Sequence, residues 1–164
     1  MKILIGLCIS FITFGFTITH HLDKPLNNPS ELPKVFLLGE HEEAYEKLVE
    51  NYATSLLSAC NNDMNKAFKK WISMNQEMEV YADQITYNTD GLKLWLHVFW
   101  AKDGSIKHIG YYLRPNSKNA DLTELNAFLF SFMNHYKFPL IAHTPYSHYS
   151  FVQFPMTPQK IKVD

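Results

Sequence analysis

The stretch Lys93–Leu113, KLWLHVFWAKDGSIKHIGYYL, consists of two β-rich runs on either side of Asp103-Gly104. An Asp-Gly pair supplies the positive φ angles that a two-residue type I′ turn requires, so the segment predicts a β-hairpin. That turn sets a register in which Trp100 faces Lys107, Val98 faces Ile109, Leu96 faces Tyr111 and Leu94 faces Leu113. The other side of the ribbon then carries Trp95, His97, Phe99 and Ala101 against Tyr112, Gly110, His108 and Ile106. Both faces are largely apolar, whereas an antiparallel sheet with one wet face alternates apolar and polar residues. The hairpin is therefore expected to lie between two layers, and helices are available for both.

C-terminal to the hairpin, Leu122, Leu125, Phe128, Leu129, Phe132 and Tyr136 recur at helical spacing, so a helix is predicted from Asp121 to His135, with Pro139 beyond its end. Ser147–Phe154 (SHYSFVQF) is a last β-rich run closed by Pro155, and Thr157–Asp164 reads as a loose tail. After a hairpin and a returning helix, this last strand runs antiparallel to the first hairpin strand and pairs best with it, which makes it a sheet edge.

N-terminal to the hairpin, Tyr45, Leu48, Val49, Tyr52, Leu56 and Cys60 recur at three and four residues, predicting one helix between Gly39 and Ala59 with Cys60 on its buried stripe. Glu42, Glu46 and Glu50 line the opposite, solvated side. Asn61-Asn62-Asp63 supplies a stop and a new N-cap, and Met64, Phe68, Trp71, Met74 or Asn75, Met78 and Ala82 continue as a second stripe. The short connection predicts an antiparallel helical hairpin. The expected fold class is α+β: an N-terminal helical hairpin followed by a ββαβ unit, with a three-stranded antiparallel sheet between helical layers, all within a single domain over 36–156.

Ahead of that domain, Ile3–Ile18 (ILIGLCISFITFGFTI) is uncharged, almost wholly apolar and preceded by Lys2, which is the pattern of a secretory signal over 1–20. Its sixteen residues are fewer than the ~20 of a bilayer-spanning helix. Thr17-Ile18-Thr19-His20 lacks a small-residue cleavage pattern, so an uncleaved anchor is the alternative, and Leu7 before Cys8 argues against lipidation. Residues 21–35 hold three prolines and no apolar period, and read as a linker. The expected location is periplasmic or secreted, with tethering to the inner membrane by residues 3–18 if the run is retained. Loss of the leader leaves Cys60 as the lone thiol, without an intramolecular disulfide.

A formal charge of −1 offers nothing to nucleic acid, and Lys66, Lys69, Lys70 and Trp71 read as a solvated face with an inward aromatic. The chain has no zincin spacing after His41, no G-x-S-x-G elbow and no glycine-rich phosphate loop, so no catalytic residue, metal ligand set or cofactor is expected. His97 and His108 are diagonal neighbours on one face in the hairpin register, and with His148 on the adjacent strand they give the alternative to partner binding, a metal- or small-ligand-binding histidine cluster.

From Leu92 to Pro155 the order is strand, Lys102-Asp103-Gly104-Ser105 turn, strand, helix, the aromatic-proline segment Tyr136-Lys137-Phe138-Pro139, then a strand ending in Phe154. This order resembles the TonB C-terminal domain family, and with the leader and two helices the chain also resembles small exported proteins of the Bacteroidetes type. The resemblance to the TonB family implies a sheet ordered as second hairpin strand, first hairpin strand, last strand. It also implies engagement of an extended segment of an envelope protein by strand addition. Two features depart from the family: a linker of about fifteen residues, which spans at most ~50 Å, and the added helical hairpin. The expected partner-binding residues are Tyr149, Phe151 and Gln153 on the last strand, and the membrane is met only through the N-terminal run.

Overall fold

A computed structural model describes residues 32–156; the leader, the linker up to Glu31 and the tail over 157–164 lie outside the described residues. The elements follow in the order β1 (Val35–Leu37), α1 (Glu42–Asn51), β2 (Thr54–Ser55), α2 (Leu56–Ala59), α3 (Met64–Gln84), β3 (Lys93–Trp100), β4 (Ile106–Leu113), α4 (Leu122–His135) and β5 (Tyr146–Gln153). The fold is α+β, as the sequence predicts. No helix among the described residues is long and apolar enough to cross a membrane.

The expected three-stranded antiparallel sheet is instead a five-stranded mixed sheet in the order β1-β4-β3-β5-β2. Its centre is the antiparallel β4-β3-β5 triplet, with Val98 opposite Ile109, Leu96 opposite Tyr111 and Leu94 opposite Leu113. Each flank gains a short parallel strand: β1 beside β4 and β2 beside β5. β1 forms at the boundary assigned to the linker, where Val35, Phe36 and Leu37 are apolar and Pro33 and Gly39 bound the run. Gly110 makes room for it, because a Cβ there would lie 3.0 Å from the Phe36 ring.

The hairpin turn also differs from the two-residue type I′ form. Gly104 N–H donates to the Ala101 carbonyl and Ala101 N–H to the Ser105 carbonyl, and only Gly104 in the turn has positive φ, at +84°. These are the marks of a three-residue loop ending in a glycine bulge. The bulge shifts the register between Phe99 and Trp100, so Trp100 meets Ile106 instead of Lys107 and Ile106 turns into the core. Asp103 closes the loop by accepting hydrogen bonds from Ser105 N–H and Oγ.

The predicted helical hairpin does not form. The single helix expected between Gly39 and Ala59 ends at Asn51, and Thr54-Ser55 leaves the helical path to pair with Tyr146-Ser147 before Ser55 caps the short α2. α1 then lies on one face of the sheet, where Tyr45 and Tyr52 meet Phe99 edge-on. α3 and α4 lie on the other, where Trp71 meets Trp100 and Tyr81 stacks on Phe128. Asp63 caps α3 by accepting from Lys66 N–H, and Asp121 caps α4 by accepting from Thr123 and Glu124 N–H. The core sits between this helical pair and the sheet: Leu94, Leu96, Val98, Trp100, Ile109 and Tyr111 from the strands, Met74, Met78, Leu125 and Phe132 from the helices.

Candidate functional site: the open edge of β5 and its aromatic face

β2 covers only Tyr146 and Ser147, which narrows the edge expected over Ser147–Phe154 to the stretch 148–153. Just beyond it, Phe154 N–H donates to the Leu92 carbonyl and Gly91 N–H to the Phe154 carbonyl. Hydrogen bonds in an antiparallel ladder alternate along the strand, so Val152, Ser150 and His148 bond back to β3. The backbone groups of Tyr149, Phe151 and Gln153 therefore point away from the sheet. These are the same three residues that the sequence marks for partner binding, and all three side chains are exposed.

Their side chains share the face of Trp95, His97 and Phe99, because Tyr149 is opposite His97, Phe151 opposite Trp95 and Ser147 opposite Phe99. α1 covers only the Phe99 end. At the other end Trp95 stacks on Tyr149 with ring centroids 5.2 Å apart and meets the edge of Phe151 at 5.8 Å. Tyr149 and Tyr112 are each 48% exposed and Phe151 39%, so the uncovered half of the face is an aromatic platform beside the open edge. Trp95 and Tyr112 belong to this site although the sequence did not mark them as binding residues. The hairpin register puts the two opposite each other on one face, and the pairing of β5 with β3 brings Phe151 to that face.

His97 separates the covered half of the face from the open half. It is 6% exposed, its ring is 4.1 Å from Phe99, and its Nδ1 shares a hydrogen bond of 2.8 Å with the Tyr45 hydroxyl. Burial, with the His148 charge as a smaller cause, pushes its pKa down to about 4, so the ring is neutral at ordinary pH. Burial also raises the Tyr45 phenol. The pair is a neutral tie between α1 and the sheet.

The histidine cluster does not assemble. His108 shares the face of His97 but donates from Nδ1 to the Pro33 carbonyl at 3.1 Å, beside β1. His148 is opposite Val98, on the other face of the sheet, with its ring 4.6 Å from Trp71. Period-two alternation separates adjacent positions on a strand by the full thickness of the sheet, and the pairing of β5 puts Tyr149, not His148, beside His97. Among the described residues no group of three or more His, Cys, Asp and Glu could hold a metal ion. Cys60 is buried and burial raises its thiol, which disfavours the nucleophilic thiolate. No family model, curated protein or solved structure matches this chain.

Proposed function

We propose that this chain is a non-catalytic binding module of the cell envelope that takes up an extended segment of a protein partner as a further strand along Tyr149–Gln153. The observation behind this reading is the coincidence of outward backbone groups at Tyr149, Phe151 and Gln153 with an exposed aromatic platform on the same residues. Main-chain pairing supplies affinity for any extended chain, and the platform selects among them. Successive side chains of an added strand alternate between faces, so the preferred segment carries apolar residues at every second position, against Phe151, Tyr149 and Trp95. Strand addition is also the mode that the resemblance to the TonB C-terminal domain family implies. Export through the apolar run Ile3–Ile18 belongs to the same reading, with the module working in the periplasm or outside the cell.

Phe151→Pro tests this reading. The Phe151 N–H points to the open edge, so proline removes no bond to β3 and the domain keeps its fold. A photoreactive residue at Gln153 in the full chain should crosslink one envelope protein in intact cells, and Phe151→Pro should abolish the crosslink. In the isolated complex the Tyr149, Phe151 and Gln153 amides should gain protection from hydrogen exchange. A complex in which these three amides exchange as fast as in the free protein would rule out edge pairing.

A further inference from the structure

We infer that the end of the domain carrying the β3–β4 turn docks on an anionic lipid surface, with Ile141 inserted among the headgroups and a surrounding set of lysines bound to their phosphates. This surface is distinct from the β5 edge, and the inference does not depend on strand capture. Ile141 is 86% exposed, the highest value for a large hydrophobic side chain among the described residues. Its segment is tied down on both sides: Phe138 N–H donates to the Gly104 carbonyl, Ala142 N–H to the Lys102 carbonyl, and the Lys70 ammonium to the Pro139 carbonyl. The backbone thus holds an isoleucine outward on a tied-down segment, at an open cavity that Ile141 lines together with Lys66, Lys70, Lys137, Asp103 and Leu140.

Seven of the ten described lysines gather at this end. Lys66, Lys69 and Lys70 lie in the first two turns of α3, and Lys102 and Lys107 flank the hairpin turn. Lys34, Lys107 and Lys137 line a second cavity that adjoins the first through Lys137. On the α3 side of this end the carboxylates are Asp63 and Asp103, and Asp103 is already engaged by Lys137 at 3.1 Å. In a chain of formal charge −1 the two faces of the sheet differ in charge, with Glu42, Glu43, Glu46 and Glu50 collected on α1 over the opposite face. Met64 and Phe68, 65% and 48% exposed, add apolar surface on α3. An inserted apolar side chain and a polybasic patch are each weak membrane signals that add to one another, and the basic part makes the attachment salt-sensitive.

The direction of the chain fits this orientation. Lys34 is where the chain leaves the domain toward Ile3–Ile18, and it sits in the cavity shared with Lys107 and Lys137. The intervening ~15 residues reach at most ~50 Å. If the apolar run stays in the bilayer, this tether raises the effective concentration of the domain at the surface.

The test uses the full chain reconstituted into vesicles containing brominated lipid, with Ile141→Trp as a reporter and Ile85→Trp, at the far end of α3 and about 25 Å from Lys66 and Lys70 along the helix, as the control. Emission from the Ile141→Trp reporter should be quenched in vesicles of roughly one-third phosphatidylglycerol, and the quenching should fall at least about threefold in pure phosphatidylcholine or in about 0.5 M salt. Replacing Lys66, Lys69 and Lys107, which make none of the bonds that hold the Ile141 segment, together with Gln should give the same loss. The control position should stay unquenched throughout. Equal quenching in both lipids, equal quenching at both positions, or no quenching would overturn the inference. So would a photocrosslinker in place of Ile141 that captures an acidic protein in cells while vesicle contact is absent, which would assign the patch to a protein partner.

Discussion

Acid should loosen this domain well above the pH at which its carboxylates titrate, and His97 is the reason. Its folded pKa is about 4 against an ordinary 6.5, because the imidazole is buried among Phe99, Tyr45 and Tyr149. The neutral ring is therefore favoured by folding. Above pH 6.5 neither folded nor unfolded chain protonates it and the full stability is present. Between 6.5 and 4 the unfolded chain binds a proton that the folded one refuses, so stability falls as pH falls, and below 4 the loss is complete. A gap of about 2.5 units at 1.36 kcal/mol per unit gives a loss of roughly 3 kcal/mol from this group. The Tyr45 hydroxyl can accept a hydrogen bond from a protonated Nδ1, so the cost lies in desolvating the charge and not in breaking the tie. Burial lowers His148 as well, and its contribution has the same sign. Asp103, held low by Ser105 and Lys137, loses its contribution only as pH falls below its ordinary range, outside this window. Urea unfolding at half-unit steps from pH 8 to pH 4 measures the slope, and His97→Phe should remove the larger part of it. A flat profile between pH 6.5 and 4.5, or an unchanged slope in His97→Phe, would refute this role for His97.

Tyr45→Phe removes one partly buried hydrogen bond to His97 and should cost about 1 kcal/mol in chemical denaturation, with hydrogen exchange in α1 accelerating more than in β3. Gly104→Ala places a Cβ inside the Phe138 carbonyl at a residue whose φ is +84°, so it should lower stability by more than ~1 kcal/mol and disorder the segment that carries Ile141, read as a fall in melting temperature and lost amide protection at Phe138. Asp63→Ala removes the N-cap of α3 and should cost about 1 kcal/mol by urea unfolding, with Asp63→Asn restoring most of it.

The central hairpin was legible because its register is a local property. Asp103-Gly104 marks the turn, and counting outward pairs Val98 with Ile109 and Leu94 with Leu113, as the structure has them. The counting failed next to the turn, where Asp103 accepts from Ser105 and a bulge replaces the type I′ geometry. β1 and β2 were missed for a different reason. Three residues and two residues are too few to show a period, and each is a strand only because β4 or β5 offers it unpaired backbone groups. The site divided along the same line. That Tyr149, Phe151 and Gln153 share one face follows from strand alternation, whereas the histidine cluster required a position on a neighbouring strand that no local rule supplies.

Sequence by itself determined the α+β class, the hairpin and the two long helices, because apolar spacing within a segment fixes which face of that segment is buried. Tertiary structure alone decided that α1 and α3 lie on opposite faces of the sheet, that β2 shortens the open edge of β5, and that His148 turns away from His97. Seven lysines converge on the Ile141 end for the same reason. Pairing between distant segments is set by competition for the same backbone groups and the same core, and that competition is settled only when the whole chain is assembled.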